Sequence, residues 1–321
     1  MRKISNILII LAAVLAFSAA ARAQDYPTRP IRFIVSGAGG GVDALARLVA
    51  EKLQGKWGQT VFVENRAGAG GNVAAETVFK AAPDGYTFLV TAHPSLVVNK
   101  SLYARLSYDP DAFAPVSVLV KIPVVLVVRA KVAAASVQQL VALAKDNPDL
   151  LNYASSGSGS TPHLAGEWLK SMVGAKIVHV PYKSNPLAVV DLLAERVDMM
   201  FLNLDNVLAH IRSGKLRALA VGGEKRDPLL PNTPTISEAL PGFVLAPWWG
   251  MVAPPKTHLA IADRLSAAVA EILKQPDVAK RLLEMGSIEP VGSTPAEMDA
   301  FMRQERERWS KLVRISGAKE E

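Results

Sequence analysis

The sequence predicts an α/β protein of two lobes around a cleft, and three observations carry that expectation. Short apolar runs alternate with amphipathic stretches at helical spacing, the pattern of parallel strands joined by crossover helices. Two small-residue loops, 36–43 and 155–163, each stand between a predicted strand and a predicted helix, and neither contains Lys or Arg. Two Pro-marked apolar passages, near 114–125 and 241–255, are placed to carry the chain between lobes. A single larger doubly wound domain would also hold these strands, but the chain is long for one open sheet.

The elements follow in order. Arg2 and Lys3 precede an apolar run from Ile7 to Phe17, and Ala21-Arg22-Ala23 supplies a small-residue cleavage site, so residues 1–23 are expected to be a secretory signal peptide. A membrane anchor would need about 20 apolar residues, and Ser18 and Arg22 interrupt this run. Ile31 to Val35 reads as a strand, followed by a helix with Asp43 at its cap and Leu45, Leu48, Val49 and Leu53 on its apolar face. Val61 to Val63 is the next strand and leads into a third Gly-rich loop, 64–72, then a helix to about Ala82. Pro83-Asp84-Gly85 turns the chain into a strand over 86–91.

A similar series follows. Strands are expected over 124–128, 151–154, 176–180, 197–201 and 216–221, and helices over 136–146, 162–172 and 186–195, with a further helix reaching Ile211. Pro-rich stretches around 228–234 and 247–255 bracket a short helix and a strand, and helical patterns fill 259–274, 277–285 and 295–314. The expected division is a first lobe over 24–123, a second over 124–245, and a return to the first over 246–321.

Composition removes several function classes. The formal net charge is +7, but cleavage of the signal would remove Arg2, Lys3 and Arg22 and no acid. No arginine-rich run or interleaved basic and aromatic patch appears, so nucleic acid is not an expected partner. The absence of Cys excludes disulfides, thiolate nucleophiles and Cys-ligated metal. A chain of this size can bury a sufficient core without such staples. No cofactor and no metal are expected, because the five His show no H-x-x-x-H spacing.

The loops carry the chemistry. Free backbone N–H groups where a strand meets a helix form a ready anion site, and in open sheets ligands sit beyond the carboxyl ends of strands. Dinucleotide binding fits poorly, since Val42 and Val73 stand where a third glycine is needed, and no loop ends in G-K-[ST]. Without a basic residue, the loops suit a carboxylate held by N–H groups, hydroxyls and water better than a phosphate. A serine nucleophile in 156–160 would need His163 as its base, but no G-x-S-x-G elbow surrounds it. Trp248 and Trp249 read as core and interlobe packing.

Ordered motifs then support a resemblance. Gly39-Gly40-Gly41-Val42-Asp43, Glu64 to Asn72, Ala82-Pro83-Asp84-Gly85-Tyr86-Thr87, Phe113-Ala114-Pro115-Val116-Ser117, Ser155 to Glu167, Val180-Pro181-Tyr182-Lys183, Gly214 to Val221 and Pro290 to Pro295 occur in sequence. Together they closely resemble the Bug family, the extracytoplasmic solute receptors of tripartite tricarboxylate transporters. The resemblance implies a periplasmic binding protein type II-like fold with crossovers between lobes. It implies a receptor that binds a small carboxylate without changing it and delivers it to membrane permease subunits; a monomer is expected. The implied ligand positions are Gly39, Gly40, Gly41 and Asp43 in the first loop, with Asn65, Gly70, Gly71 and Asn72 in the next and His93 beyond the third strand. Facing them would be Ser156, Gly157, Ser158, Ser160 and His163, then Tyr182, Asn203 and Asp205. Departures from the family pattern are Ala38, Val42, Ala67, Leu202, Asp205-Asn206 and Ser184-Asn185-Pro186. Val42 and Leu202 suit a mono- or dicarboxylate with an apolar or aromatic body. The alternatives are a ligand-sensing protein feeding a membrane sensor kinase and, further off, a secreted serine hydrolase.

Overall fold

A computed structural model describes residues 26–37 and 39–320; the expected signal peptide and Ala38 lie outside the described residues. Two mixed sheets organise the described residues. The first contains β1 (Ile31–Val35), β2 (Val61–Asn65), β3 (Thr87–Ala92), β4 (Ala114–Lys121), β10 (Trp248–Ala253) and β11 (Glu289–Pro290), in the order β11-β4-β10-β3-β1-β2. The second contains β5 (Val124–Arg129), β6 (Asn152–Ser155), β7 (Val178–Pro181), β8 (Met199–Asn203) and β9 (Leu216–Val221), in the order β7-β6-β8-β5-β9.

The expected parallel pairing holds for β1 with β2 and β3, and for β6 with β7 and β8. It fails at β10, antiparallel to β3 and β4, and at β5, antiparallel to β8 and β9. These are the strands that begin at the crossovers. The chain leaves β4 at Lys121, enters β5 at Val124, and must run away from the first sheet, whereas β6, β8 and β9 all end facing it. The passage near 114–125 is therefore a strand for most of its length. Pro115 sits at its start, where β11, paired only with Val120 and Lys121, leaves the edge uncovered and the missing N–H unneeded.

Among the described residues, eight helices of eight or more residues cover the sheets: α1 (Gly41–Trp57), α2 (Asn72–Phe79), α3 (Val137–Asp146), α4 (Thr161–Val173), α5 (Asn185–Leu193), α6 (Leu259–Leu273), α7 (Pro276–Glu284) and α8 (Pro295–Ser316). Strand alternation sends side chains to opposite faces. Phe33 and Val35 join Leu45, Val49, Leu265 and Val269 under α1 and α6. Ile34 and Leu89 face the other way, into a core shared with Trp248, Met298 and Trp309 that runs on to Leu126, Val128 and Phe201 of the second sheet. The two sheets thus share one continuous apolar interior.

Helix α8 is fixed by a buried carboxylate. Glu305, 4% exposed, accepts hydrogen bonds at Oε2 from the indole N–H groups of Trp248 and Trp309, both at 3.0 Å. Arg308 donates to the same carboxylate at 2.9 Å and, through Nη1, to the Val244 carbonyl at 3.0 Å. One carboxylate so ties α8 to the start of β10 and to the second crossover. Removing it leaves two indole donors and a guanidinium without their acceptor, which for a buried ion pair costs about 3–5 kcal/mol. Glu305→Ala is expected to lower the unfolding free energy by about that amount in urea titration; a loss below about 1 kcal/mol would show the network to be dispensable.

Candidate functional site

The first lobe gathers three loops into one surface. Asp43, in the first turn of α1, accepts from the Gly39 N–H at 3.2 Å, Arg47 Nε at 3.2 Å and Asn65 Nδ2 at 2.8 Å. Asn65 Nδ2 also donates to the Gly37 carbonyl at 2.6 Å, and Arg47 Nη2 to Asn65 Oδ1 at 3.1 Å. Burial pushes the Asp43 carboxyl up, but the bonds from Asn65, Arg47 and Gly39 outweigh it and hold the group below the usual carboxylate range. Gly70 and Gly71 both take positive φ. A Cβ on Gly71 would stand 3.3 Å from that of Ser36, so the second loop packs directly on the first. Asn72 Oδ1 accepts from Asn99 at 2.6 Å and Tyr108 at 2.8 Å, and Asn99 also donates to the Gly70 carbonyl at 3.2 Å. The side chains of Asp43, Asn65 and Asn72 are braces that shape the loops.

Gly41 answers a different constraint. A Cβ there would fall 2.3 Å from the Trp249 ring, so only glycine lets α1 begin against that indole.

The second lobe builds its loop on β6. Ser155 Oγ accepts from the Gly157 N–H at 3.1 Å and lies 2.6 Å from His179 Nε2. Ser160 Oγ donates to the Gly157 carbonyl at 2.7 Å, and the Gly159 N–H donates to His163 Nδ1 at 3.0 Å. His163 stacks on His179 at 4.2 Å, and Tyr153 stacks on the other side at 4.9 Å. Burial and the neighbouring His163 push His179 down to about 4, and burial likewise lowers His163. His163 supports the loop as a neutral acceptor. No hydrogen bond joins it to Ser156, Ser158 or Ser160, and the Ser155 hydroxyl beside His179 is fully buried, so the serine-hydrolase arrangement does not form. Tyr182 joins this group through its backbone, donating to the Ser155 carbonyl at 2.9 Å, while its hydroxyl donates to Asp191 at 2.8 Å.

The lobes meet where Gly159 packs on Leu102: a Cβ at 159 would stand 2.5 Å from Leu102 Cδ2. Leu102 ends the short helix 99–102 that begins at Asn99, the residue bonded to Gly70. Backbone donors remain free on both sides. Helices α1, α2, α4 and α5 all begin at these loops, and none has a side-chain cap. Of the helices elsewhere, α3, α6 and α8 are capped by Ser136, His258 and Thr294, while α7 also lacks a side-chain cap. The nearest guanidiniums are occupied, Arg47 by Asp43 and Arg66 by Glu64. Loops 36–43 and 155–163 hold no cation, and the lysine beside α5, Lys183, is exposed; uncapped donors in such loops suit a weakly charged anion.

Four positions depart from expectation. His93 is 3% exposed, between Trp248 and Trp309, with neither ring nitrogen hydrogen-bonded, so it does not line the loops. Its place is set by the backbone, where its N–H meets the Trp248 carbonyl at 3.0 Å. Leu202 is buried in the second lobe's own core beside Val125 and Val207, so it does not shape a cleft. Asn203 pairs with Val124 at the first crossover, and Asp205 packs against Gly286, where a Cβ would stand 2.6 Å from its own; no bond connects either to the loops. Asn99, Leu102, Tyr108 and His179 were not anticipated. Asn99 hides in the apolar run Leu96-Val97-Val98, and His179 is marked only by its register with Tyr153 on β6.

The fold and loops define a two-lobed solute-binding protein. The model of the tripartite tricarboxylate transporter family receptor matches residues 45–317, and the chain belongs to this family. Protein BugT of Bordetella pertussis is 37% identical over 323 residues, covering 99% of each chain. R. palustris Rpa4515, solved with adipate, is 37% identical with a TM-score of 0.78, covering 91% of this chain and 98% of that one. MatC from Rhodopseudomonas palustris, solved with bound malate, is 32% identical with a TM-score of 0.73, covering 90% and 100%. The family is one of receptors, not of enzymes.

The buried imidazoles set a pH dependence. Burial lowers His93 to about 3, with the Arg308 charge adding to the shift and the Trp248 carbonyl opposing it. His93 and His179 therefore bind fewer protons folded than unfolded from the ordinary value of 6.5 down to about 4. Acidification through that window draws protons to the unfolded chain, so stability is full above it and falls as the pH drops. The melting temperature should decline from pH 6.5 to 4, and His93→Phe, which keeps a ring without nitrogens, should flatten the decline. Identical profiles for both proteins would exclude His93 as a contributor.

Proposed function

We propose that this chain is a periplasmic receptor that captures a small mono- or dicarboxylate, aliphatic or aromatic, and presents it to the membrane permease subunits of a tripartite tricarboxylate-type transporter. The observation that carries the reading is the pair of uncapped helix N-termini, Gly40-Gly41 on one lobe and Ser160-Thr161 on the other, joined across the interface by Gly159 on Leu102. A carboxylate placed there would receive N–H groups from both sides, with bridging water completing its shell. The absence of Arg and Lys within loops 36–43 and 155–163 favours one carboxylate over a phosphate. Adipate and malate in the two Rhodopseudomonas palustris structures support the same ligand class. A signal peptide over 1–23 would deliver such a receptor to the periplasm.

The test is calorimetry on the mature protein with adipate, malate and benzoate, alongside a neutral sugar and a primary amine. At least one acid should give saturable one-to-one heat, with compaction in small-angle scattering as both lobes engage it. Asp43→Ala, which releases Gly39 and Asn65, should weaken that acid by about tenfold or more. Failure of every acid while the sugar or amine binds would sink the assignment.

A further inference from the structure

A cavity of about 500 Å³ lies away from the loops, at the opposite edge of both sheets. The loops follow β1, β2 and β6, whereas the cavity lies beside β4, β11 and β9. Its walls belong to different lobes. The first lobe contributes Lys121, Leu283 of α7 and Ile288; the second contributes Val221 and the segment 223–228. The crossover residues Ile122, Pro123 and Ala246 lie between them. Leu283 is 44% exposed, one of few large apolar side chains left open to solvent, and the cavity accounts for it. This volume and apolar lining match ordinary small-molecule sites.

The charges select the occupant. Arg226 is held by Glu238 at 3.0 and 2.7 Å, and Asp227 accepts the Leu229 N–H at 2.8 Å. A backbone N–H leaves Asp227 its charge, so the first wall carries one cation and one anion and the second wall Lys225 with two acids, Glu224 and Asp227. Lys121 and Glu289 are register partners in the first sheet, and Glu224 and Lys225 are sequence neighbours in the second lobe. The only ion pair among them, Lys121 with Glu224, is loose at 3.9 Å. A lone carboxylate would meet an acid on either wall and a lone amine a cation. A zwitterion is matched by both. We propose that this cavity is a second small-molecule site that takes an apolar molecule with a zwitterionic head, an apolar α-amino acid being the simplest such ligand.

The test compares L-phenylalanine with 3-phenylpropanoate, which lacks the ammonium, and phenethylamine, which lacks the carboxylate, by calorimetry on the mature protein. Phenylalanine should bind saturably, with each analogue weaker by about tenfold or more, the loss of one charge-assisted contact. Ala279→Trp, at an exposed position of α7, fills the cavity and should abolish binding; Leu283→Arg on the same helix serves if that variant does not fold. Lys225→Glu should weaken phenylalanine by about tenfold. The site is refuted if phenylalanine does not bind, if an analogue binds as tightly, or if phenylalanine binding survives in a folded cavity-filling variant.

Discussion

Everything in this fold hangs on the Glu305 carboxylate, which accepts the indole protons of Trp248 and Trp309 while paired with Arg308. Trp248 opens β10, the strand on which the chain returns to the first sheet, and Arg308 reaches the Val244 carbonyl just before it. Helix α8 is thereby locked across the second crossover and adds Met298, Met302 and Trp309 to the interior shared by both sheets. That interior leaves the crossovers as packed elements rather than loose tethers. Ile122 donates to the Pro247 carbonyl at 2.7 Å and Gly222 to the Val124 carbonyl at 2.7 Å, so the two crossovers and the end of β9 brace each other.

Much of the architecture was legible in the sequence because each clear element carried its own period and punctuation. Helix α6, expected over 259–274, spans Leu259–Leu273, and β9 falls on 216–221 as expected. What escaped notice was pairing direction and the strands rich in proline or glycine. β4 begins Ala114-Pro115, and β10 carries Gly250 between flanking prolines, so both look like connections. Their strand character comes from neighbours far away in sequence, Trp249 with Ala92 and Val252 with Pro115, which no local pattern encodes. Antiparallel β5 has the same origin, because its direction is set by where the chain crosses between lobes.

The site was half legible. Its loops stand out by composition, but the braces do not. Asp43 looked like a helix cap, yet its carboxylate holds Gly39, Arg47 and Asn65 rather than a terminal N–H of α1. His93 was misplaced because position in the chain, directly after a strand that ends at the interface, says nothing about whether a ring turns to the loops or to Trp309. Asn99 and His179 act through partners 27 and 24 residues away, Asn72 and Ser155, and such pairings appear only once the chain is folded.

The uncapped starts of α1, α2, α4 and α5 have an evolutionary consequence. Apart from Pro162 and Pro186, the peptide N–H groups exposed there are immune to most point mutations, because every residue except proline supplies the same donor. Side chains around them are then free to drift. Descendants of one ancestor could exchange ligands by altering a few neighbouring side chains, while donors supplied by the backbone are inherited with the fold.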